Sequence, residues 1–159
     1  MSAPPSLRWT LERARGRTIV ELAGHLDERA DLAPLGAELS GVVELRLGGV
    51  VRVNSTGVRT WVDFVHDLPS VTELIFSQCS PAVVTQLNTI YNFRGPARVS
   101  SILLPYACEA CGTGEFKLVD VSGYRPSAPP RLPEFACERC GGPLEFDELP
   151  ERYLSFLDG

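Results

Sequence analysis

Four cysteines near the C-terminus are the residues of this chain whose type and spacing indicate chemistry most directly. They form two Cys-x-x-Cys pairs, Cys108 with Cys111 and Cys137 with Cys140. A two-residue gap lets one tight turn present both sulfurs to a single ion, and four thiolates form the tetrahedral ligand set that structural zinc ions prefer. The sequence therefore predicts one structural Zn²⁺ held by all four cysteines.

The surroundings of the two pairs favour a metal over the alternatives, which are disulfides or a dithiol redox motif. Glycine follows each pair, Gly112 after the first and Gly141 with Gly142 after the second, and glycine tolerates the positive φ that such a turn needs. A lone fifth cysteine, Cys79, and the absence of a secretory signal pattern indicate a reducing compartment, in which disulfides are rare. We therefore expect a cytoplasmic protein. Because four protein ligands leave no open coordination position, catalysis by the metal is not expected.

Composition and charge limit the possible functions. With 159 residues and 44% hydrophobic content, the chain can bury one core and add a small second module. No apolar run approaches the ~20 residues that cross a bilayer, so we expect a soluble protein without membrane insertion. Residues 105–159 contain ten acidic and five basic side chains, whereas phosphate binding needs clustered Lys and Arg. Nucleic-acid binding by the cysteine module is therefore not expected.

Hydrophobic periodicity predicts alternating strands and helices before the cysteine pairs. Period-two and β-branched runs indicate strands, and apolar positions three and four apart indicate helices. Strands are predicted at 7–12, 18–23, 42–47, 71–77 and 97–104, and helices at 27–39, 58–68 and 81–90. Because Pro34 lies inside the first helical pattern, that helix should begin close to Pro34 or be irregular. A turn at Gly48-Gly49 should lead from the third strand to a short apolar run at 50–53. The resulting order, β-β-α-β-α-β-α-β, predicts an α/β fold with helices packed on a parallel or mixed sheet.

Pro105 marks the predicted boundary between two domains. Residues 1–6 are predicted to be a disordered start, residues 7–104 the first domain, and residues 105–159 a zinc-ribbon-like module. Within the module we predict a strand at 116–121, a proline-rich loop at 122–133 and a short helix that starts near Pro150. Because that helix spans only about two turns, it must dock on another element to be stable.

Three short motifs in residues 7–104 resemble those of the STAS domain, the fold of bacterial anti-sigma-factor antagonists. Gly24-His25-Leu26-Asp27 is similar to the Gly-x-Leu-Asp turn that follows the second strand of that family. Val53-Asn54-Ser55-Thr56-Gly57 is similar to its Asp-Ser-Ser/Thr-Gly phosphorylation motif, with Asn54 in place of the Asp. Cys79-Ser80-Pro81-Ala82-Val83 is similar to the Ser-Pro-x-Val that opens its third helix.

The resemblance implies a STAS-like mixed sheet and a non-enzymatic interaction module. It implies a protein partner, a histidine-kinase-like anti-sigma factor, which would phosphorylate Ser55. The residues around that serine, Asn54, Thr56, Gly57 and Arg59, would then be candidates for partner binding. A phosphate placed before a helix N-terminus would add negative charge where backbone N–H groups favour it.

The residues themselves leave a plainer role open. Ser55 or Thr56 could simply be the N-cap of the helix, which needs no kinase, and Arg59 could pair with Asp63. The chain would then be a structural or scaffold subunit with constitutive protein contacts. An enzyme is not expected, because the sequence offers neither a nucleophile–base pair, nor an open metal position, nor a phosphate-binding glycine loop.

Overall fold

The computed structural model describes residues 6–124 and 132–158, which form an α/β protein. The strands are β1 (Arg8–Ala14), β2 (Arg17–Leu26), β3 (Gly41–Val53), β4 (Val71–Ser77), β5 (Arg98–Val99), β6 (Ser101–Cys108), β7 (Gly114–Asp120) and β8 (Leu144–Phe146). The helices are α1 (Ala33–Gly36), α2 (Ser55–His66), α3 (Pro81–Thr89) and α4 (Pro150–Tyr153), followed by a 3-10 helix at Ser155–Leu157.

The first sheet is mixed and contains the strands in the order β1-β2-β3-β4-β5. β1 pairs antiparallel with β2, whereas the pairs β2–β3, β3–β4 and β4–β5 are parallel. Parallel neighbours need a crossover connection, and α2 and α3 lie in two of these crossovers. The predicted α/β architecture with a mixed sheet is therefore confirmed.

The hydrophobic core lies between one face of this sheet and the helices. Alternate residues of β2 and β3 are buried there, namely Val20, Leu22 and Leu26 with Val43, Leu45 and Leu47. From α2, Trp61 packs on the ring of Phe93 with centroids 5.7 Å apart, and its indole N–H donates to the Phe93 carbonyl at 3.1 Å. Trp61 is 2% exposed, so this face of α2 belongs to the core.

Two glycines that were predicted to turn the chain lie instead within one long strand. β3 runs through Gly48 and Gly49 without a turn. The register of β3 against β2 shifts between Glu21 and Ala23, so a β-bulge takes up the extra residue. A Cβ added at Gly49 would lie 2.7 Å from the Cβ of Ala23. Glycine is therefore needed here for the close approach of two strands.

Two further elements differ from the prediction. The helix predicted at 27–39 begins close to Pro34, as expected, but it is shorter than predicted, because α1 ends at Gly36. The strand predicted at 97–104 is divided between β5 of the first sheet and β6 of a second sheet. Pro105, the predicted boundary, consequently lies inside β6, where it pairs with Phe116.

The second sheet is antiparallel, in the order β7-β6-β8. Its central strand is tied to the first sheet by backbone hydrogen bonds. The Cys79 N–H donates to the Ser101 carbonyl at 3.2 Å, and the Leu103 N–H donates to the Cys79 carbonyl at 2.9 Å. The cysteine module is therefore anchored beside the end of β4.

The short C-terminal helix docks on α3 and β6, as its length requires. The Tyr153 hydroxyl donates to the Leu103 carbonyl at 2.6 Å, and the Asn88 amide donates to the Tyr153 carbonyl at 3.0 Å. Asn88 also accepts from the Phe156 N–H at 2.8 Å. The predicted docking of this helix is confirmed.

Two predictions fall wholly or partly outside the described residues. These are the disordered start, of which only Ser6 is described, and the proline-rich loop, of which residues 125–131 lie outside. Ser6 forms a parallel β-bridge with His25. In the described ranges no helix is both long enough and apolar enough to cross a lipid bilayer.

Candidate functional site

Two turns with the same hydrogen bonding position the four cysteines. In the first turn the Gly112 N–H donates to the Cys108 carbonyl at 2.8 Å, and the Cys108 N–H donates to the Thr113 carbonyl at 2.9 Å. The turn at Cys137 repeats both bonds at 2.8 and 2.7 Å. Gly112 and Gly141 have φ values of 76° and 77°, in the left-handed region that favours glycine. The role predicted for these two glycines is confirmed.

The sulfur atoms of the four cysteines lie close together in the structure. The Sγ atoms of Cys108, Cys111, Cys137 and Cys140 all lie within 4.8 Å of one another. Two of the sulfur–sulfur separations are 3.5 Å, between Cys108 and Cys140, and 3.7 Å, between Cys111 and Cys137. A tetrahedral ion with metal–sulfur bonds of about 2.3 Å holds its ligands roughly 3.8 Å apart. The cluster therefore has the dimensions of a four-thiolate site and could hold a metal ion.

The pKa values of Cys111 and Cys140 are shifted in opposite directions by their surroundings. Hydrogen bonds with the Thr113 hydroxyl and N–H lower the pKa of Cys111 to about 6. At Cys140 the Gly142 N–H favours the thiolate, but the neighbouring sulfurs and burial outweigh it and raise the pKa to about 12. Four thiolates this close repel one another, so full ionisation of the cluster needs a cation at its centre.

An ion-pair cluster fastens β7 to the second cysteine turn. Lys117, the one lysine of the chain, lies 3.0 Å from the Glu115 carboxylate and 3.3 Å from that of Glu138. Glu115 also accepts from the Glu138 N–H at 3.1 Å, and the Lys117 ammonium lies 5.2 Å from the centroid of the Phe135 ring. No role was predicted for Glu115, Lys117 or Glu138. The available signal was strand alternation, which puts Glu115 and Lys117 on one face of β7.

Cys79, the fifth cysteine, does not belong to the cluster. Its side chain is 0% exposed, and burial raises its pKa. A buried neutral thiol of this kind acts as a small apolar side chain and is unreactive.

The second candidate site lies at the N-terminus of α2. Asn54 is the N-cap, because its Oδ1 atom accepts from the Gly57 N–H at 2.8 Å. Ser55 is the first helical residue. The alternative in which Ser55 or Thr56 is the N-cap is therefore wrong. The missed signal was Asn54 itself, since asparagine is among the strongest N-caps and its side chain reaches the N–H three residues later.

Asn54 also joins α2 to the end of β2. Its Nδ2 atom donates to the Glu28 carboxylate at 2.8 Å, and its backbone N–H donates to the Leu26 carbonyl at 3.1 Å. The backbone N–H of Glu28 and the Asn54 amide hold the pKa of Glu28 below its usual value. Gly57 lies so close to the end of β2 that an added Cβ would be 1.8 Å from the Leu26 carbonyl oxygen. Glu28 was not a sequence candidate, because twenty-five intervening residues separate it from Asn54.

The candidate partner-binding residues around Ser55 differ in their exposure to solvent. Ser55, Thr56 and Arg59 are exposed, whereas Gly57 is buried against β2. The ion pair considered between Arg59 and Asp63 does not form within the described ranges of the chain. Partner binding through Gly57 would therefore be indirect, since its role is to allow α2 to approach β2.

Replacing Asn54 by alanine should destabilise the protein, whereas replacing Ser55 by alanine should not. Asn54→Ala removes the N-cap and should lower the free energy of unfolding by about 1 kcal/mol, whereas Ser55→Ala should change it by less than about 0.5 kcal/mol. Urea unfolding followed by circular dichroism measures both. An equal loss in the two variants would show that Ser55 shares the capping role.

Comparison with known proteins identifies no relative of this chain. No protein-family model, no curated protein and no solved structure matches it. Its function must therefore be inferred from the residues and the geometry described above.

Proposed function

We propose that this chain is a non-enzymatic regulatory protein of the bacterial cytoplasm that binds another protein through the edge at Ser55. In this it would act as the STAS-type anti-sigma-factor antagonists that it resembles, with a histidine-kinase-like anti-sigma factor as partner. Phosphorylation of Ser55 would switch the interaction, and a structural Zn²⁺ would hold the second sheet. The observation that carries the proposal is the exposure of Ser55 on the first turn of α2.

The ligand chemistry favours zinc as the metal. Sites with four thiolate ligands suit zinc, and the sulfur separations of 3.5 and 3.7 Å are close to those of a tetrahedral zinc site. Cys108 and Cys137 are 1% and 3% exposed, so half of the ligand set is shielded from water. The ion would therefore join two chain segments separated by 25 residues and leave no position for a substrate.

The arrangement of the first sheet supports the resemblance to STAS domains. β2 and β3 are parallel neighbours, so their C-terminal ends lie at the same edge of the sheet. The Gly24-to-Asp27 motif is at the end of β2, and the Asn54-to-Gly57 motif directly follows β3. The hydrogen bond from Asn54 to Glu28 joins the two segments at 2.8 Å. Motifs far apart in sequence therefore adjoin on one surface.

Ser55 is suited to carry a reversible charge. It lies where helix N–H groups and the helix dipole stabilise a phosphate, and the cap is made by Asn54, so modification of Ser55 need not remove it. A phosphate would add about −1.5 to −2 charges to an edge that already contains Asp27 and Glu28. A partner fitted to the unmodified edge should then dissociate.

Replacing Ser55 by aspartate should weaken partner binding, whereas replacing it by alanine should preserve it. Because two like charges facing each other at an interface cost several kcal/mol, we expect Ser55→Asp to weaken binding about tenfold or more and Ser55→Ala about threefold or less. Thr72→Asp, an exposed threonine on β4, is the matched control for added charge. Calorimetric titration of the purified partner measures all three.

Phosphorylation of Ser55 offers a way to identify the partner, which would be the kinase that transfers the phosphate. Protein isolated from its native cells should carry one phosphate, absent in Ser55→Ala, by intact-mass measurement. A co-purified kinase, reconstituted with Mg-ATP, should transfer phosphate to Ser55 of the wild-type protein. Absence of phosphate, together with equal partner affinity of Ser55→Asp and wild type, would refute the switch.

A constitutive scaffold is the second candidate function, and the exposed apolar residues of the second sheet favour it. Phe116 and Leu118 on β7 are 63% and 55% exposed, and Leu149 before α4 is 62% exposed. Phe116 and Leu118 lie on the same face of β7, and adjoining exposed apolar residues of this kind often mark protein contacts. On this alternative the partner docks on the second sheet and Ser55→Asp binds it as the wild type does.

A further inference from the structure

β7 is a sheet edge with an apolar exposed face. Within the described residues it pairs with β6 alone, along all seven of its residues and without a bulge. Phe116 and Leu118 lie exposed on one face, beside their register partners Pro105 and Leu103 on β6. Edge strands usually avoid further pairing through bulges, prolines or charges. β7 has neither a bulge nor a proline, and its central charges, Lys117 and Glu115, are paired with each other at 3.0 Å. Its outer edge is therefore open to another strand.

We propose that β7 pairs antiparallel with β7 of a second copy of this chain, about a two-fold axis at Lys117. The two three-stranded sheets would then form one six-stranded sheet across a dimer. In this register Phe116 of each copy lies directly opposite Leu118 of the other, which forms two apolar cross-strand pairs. This inference depends neither on phosphorylation of Ser55 nor on its partner.

The register follows from the position of the apolar residues. Opposed residues of antiparallel strands point to the same face, so a two-fold axis normal to the sheet must lie midway between one residue and the same residue of the other copy. Lys117 is the central residue of Gly114–Asp120, and an axis there pairs all seven residues. An axis at Phe116 or Leu118 would place one of these side chains opposite itself and the other opposite a glycine or an aspartate. The axis at Lys117 therefore buries the most apolar surface.

On the other face of β7 this register places the two Lys117 residues directly opposite each other, and like charges in that position are unfavourable by themselves. Each ammonium, however, is already held by Glu115 at 3.0 Å and Glu138 at 3.3 Å. Each Lys117 would also lie diagonally across from Glu115 of the other copy, a spacing that long side chains can bridge. Opposite charges therefore alternate along the interface.

Two double variants isolate this register from simple loss of apolar surface. Phe116→Lys with Leu118→Glu places Lys opposite Glu twice in the dimer, whereas Phe116→Lys with Leu118→Lys places Lys opposite Lys twice. Both variants lose the same two apolar side chains, and both keep the four cysteines. Tyr91→Lys, at a residue that is 99% exposed and lies outside the second sheet, is the control for surface charge.

Sedimentation equilibrium of the metal-loaded full chain at low salt gives the dimer dissociation constants. We expect wild type and Tyr91→Lys to dimerise equally, and the Lys–Glu variant to dimerise at least about tenfold more tightly than the Lys–Lys variant. High salt should reduce that difference. A wild-type protein that remains monomeric at about 1 mM, or equal behaviour of the two double variants, would overturn the proposal.

Discussion

Removal of the metal ion proposed for the cysteine cluster should unfold the second sheet and leave the first sheet folded. Without an ion, nothing covalent or coordinate joins the turn at Cys108 to the turn at Cys137, and four unligated sulfurs remain within 4.8 Å. Structural zinc contributes an apparent ~10–16 kcal/mol in small zinc-binding modules. The aromatic cluster of the second sheet, in which Phe135 and Phe146 contact the edges of Tyr106, is small by comparison. It should not hold the sheet alone.

The unfolding should stop within β6. Ile102 and Leu104 are 0% exposed, and Leu103 is bonded to the backbone of Cys79 and to the Tyr153 hydroxyl. The start of β6 therefore belongs energetically to the core of the first sheet, and we expect protection from amide exchange to be lost from about Tyr106 through residue 142, while the C-terminal helix stays docked on α3.

Hydrogen exchange followed by mass spectrometry, with and without a strong chelator, tests both statements. Cys137→Ser should reproduce the effect of the chelator and should abolish binding of one metal ion per chain. Cys79→Ala is the matched control, because it removes a buried thiol outside the cluster and should keep the metal. Unchanged exchange of β7 after complete metal removal would contradict a structural role for the ion, and loss of protection in β4 would contradict the predicted limit.

Replacing Gly57 by alanine should destabilise the protein severely, although alanine is the better helix former. Helix propensity alone favours alanine by about 1 kcal/mol. The added Cβ, however, would lie 1.8 Å from the Leu26 oxygen and 2.4 Å from the Leu26 carbonyl carbon, and neither backbone atom can rotate away. We expect α2 to be displaced from β2 and the free energy of unfolding to fall by about 3 kcal/mol or more.

Gly36→Ala is the matched control for this substitution. A Cβ at Gly36 meets side chains of Phe64 and Leu68 at 3.6 and 3.7 Å, which is ordinary contact, and the residue is also helical. Gly36→Ala should change the free energy of unfolding by no more than about 0.5 kcal/mol and so leave the melting temperature nearly unchanged. Gly57→Ala should lower the melting temperature by roughly 6–12 °C. Thermal unfolding by calorimetry compares them. Equal melting temperatures would show that the first turn of α2 can move without cost.

Local signals in the sequence were sufficient for the cysteine cluster and for the general architecture. A Cys-x-x-Cys turn is set by a few consecutive residues, and the glycine after each pair has the positive φ that the turn requires. Ser80 likewise caps α3, accepting from the Val83 N–H at 3.3 Å, directly before the proline that starts that helix. Alternation of strands and helices depends on periodicity over short windows, so it also could be predicted.

Contacts between distant segments could not be predicted in the same way. The bulge at Gly48-Gly49 exists because β3 must pass closely beside Ala23 of β2, and nothing in the local sequence distinguishes that from a turn. The strand predicted at 97–104 is divided because its second half pairs with β7. Each of these outcomes depends on which strand becomes the neighbour.

The sequence by itself determined the four cysteines that could hold a metal ion, the mixed α/β character and the presence of a polar motif between β3 and α2, because these depend on residues close together in the chain. Only the tertiary structure decided how that motif is used. It made Asn54 the cap, brought Glu28 to Asn54, left Ser55 exposed and placed Gly57 against Leu26. The physical reason is that parallel packing of β2 and β3 brings two strand ends to one edge, and that juxtaposition has no local signature.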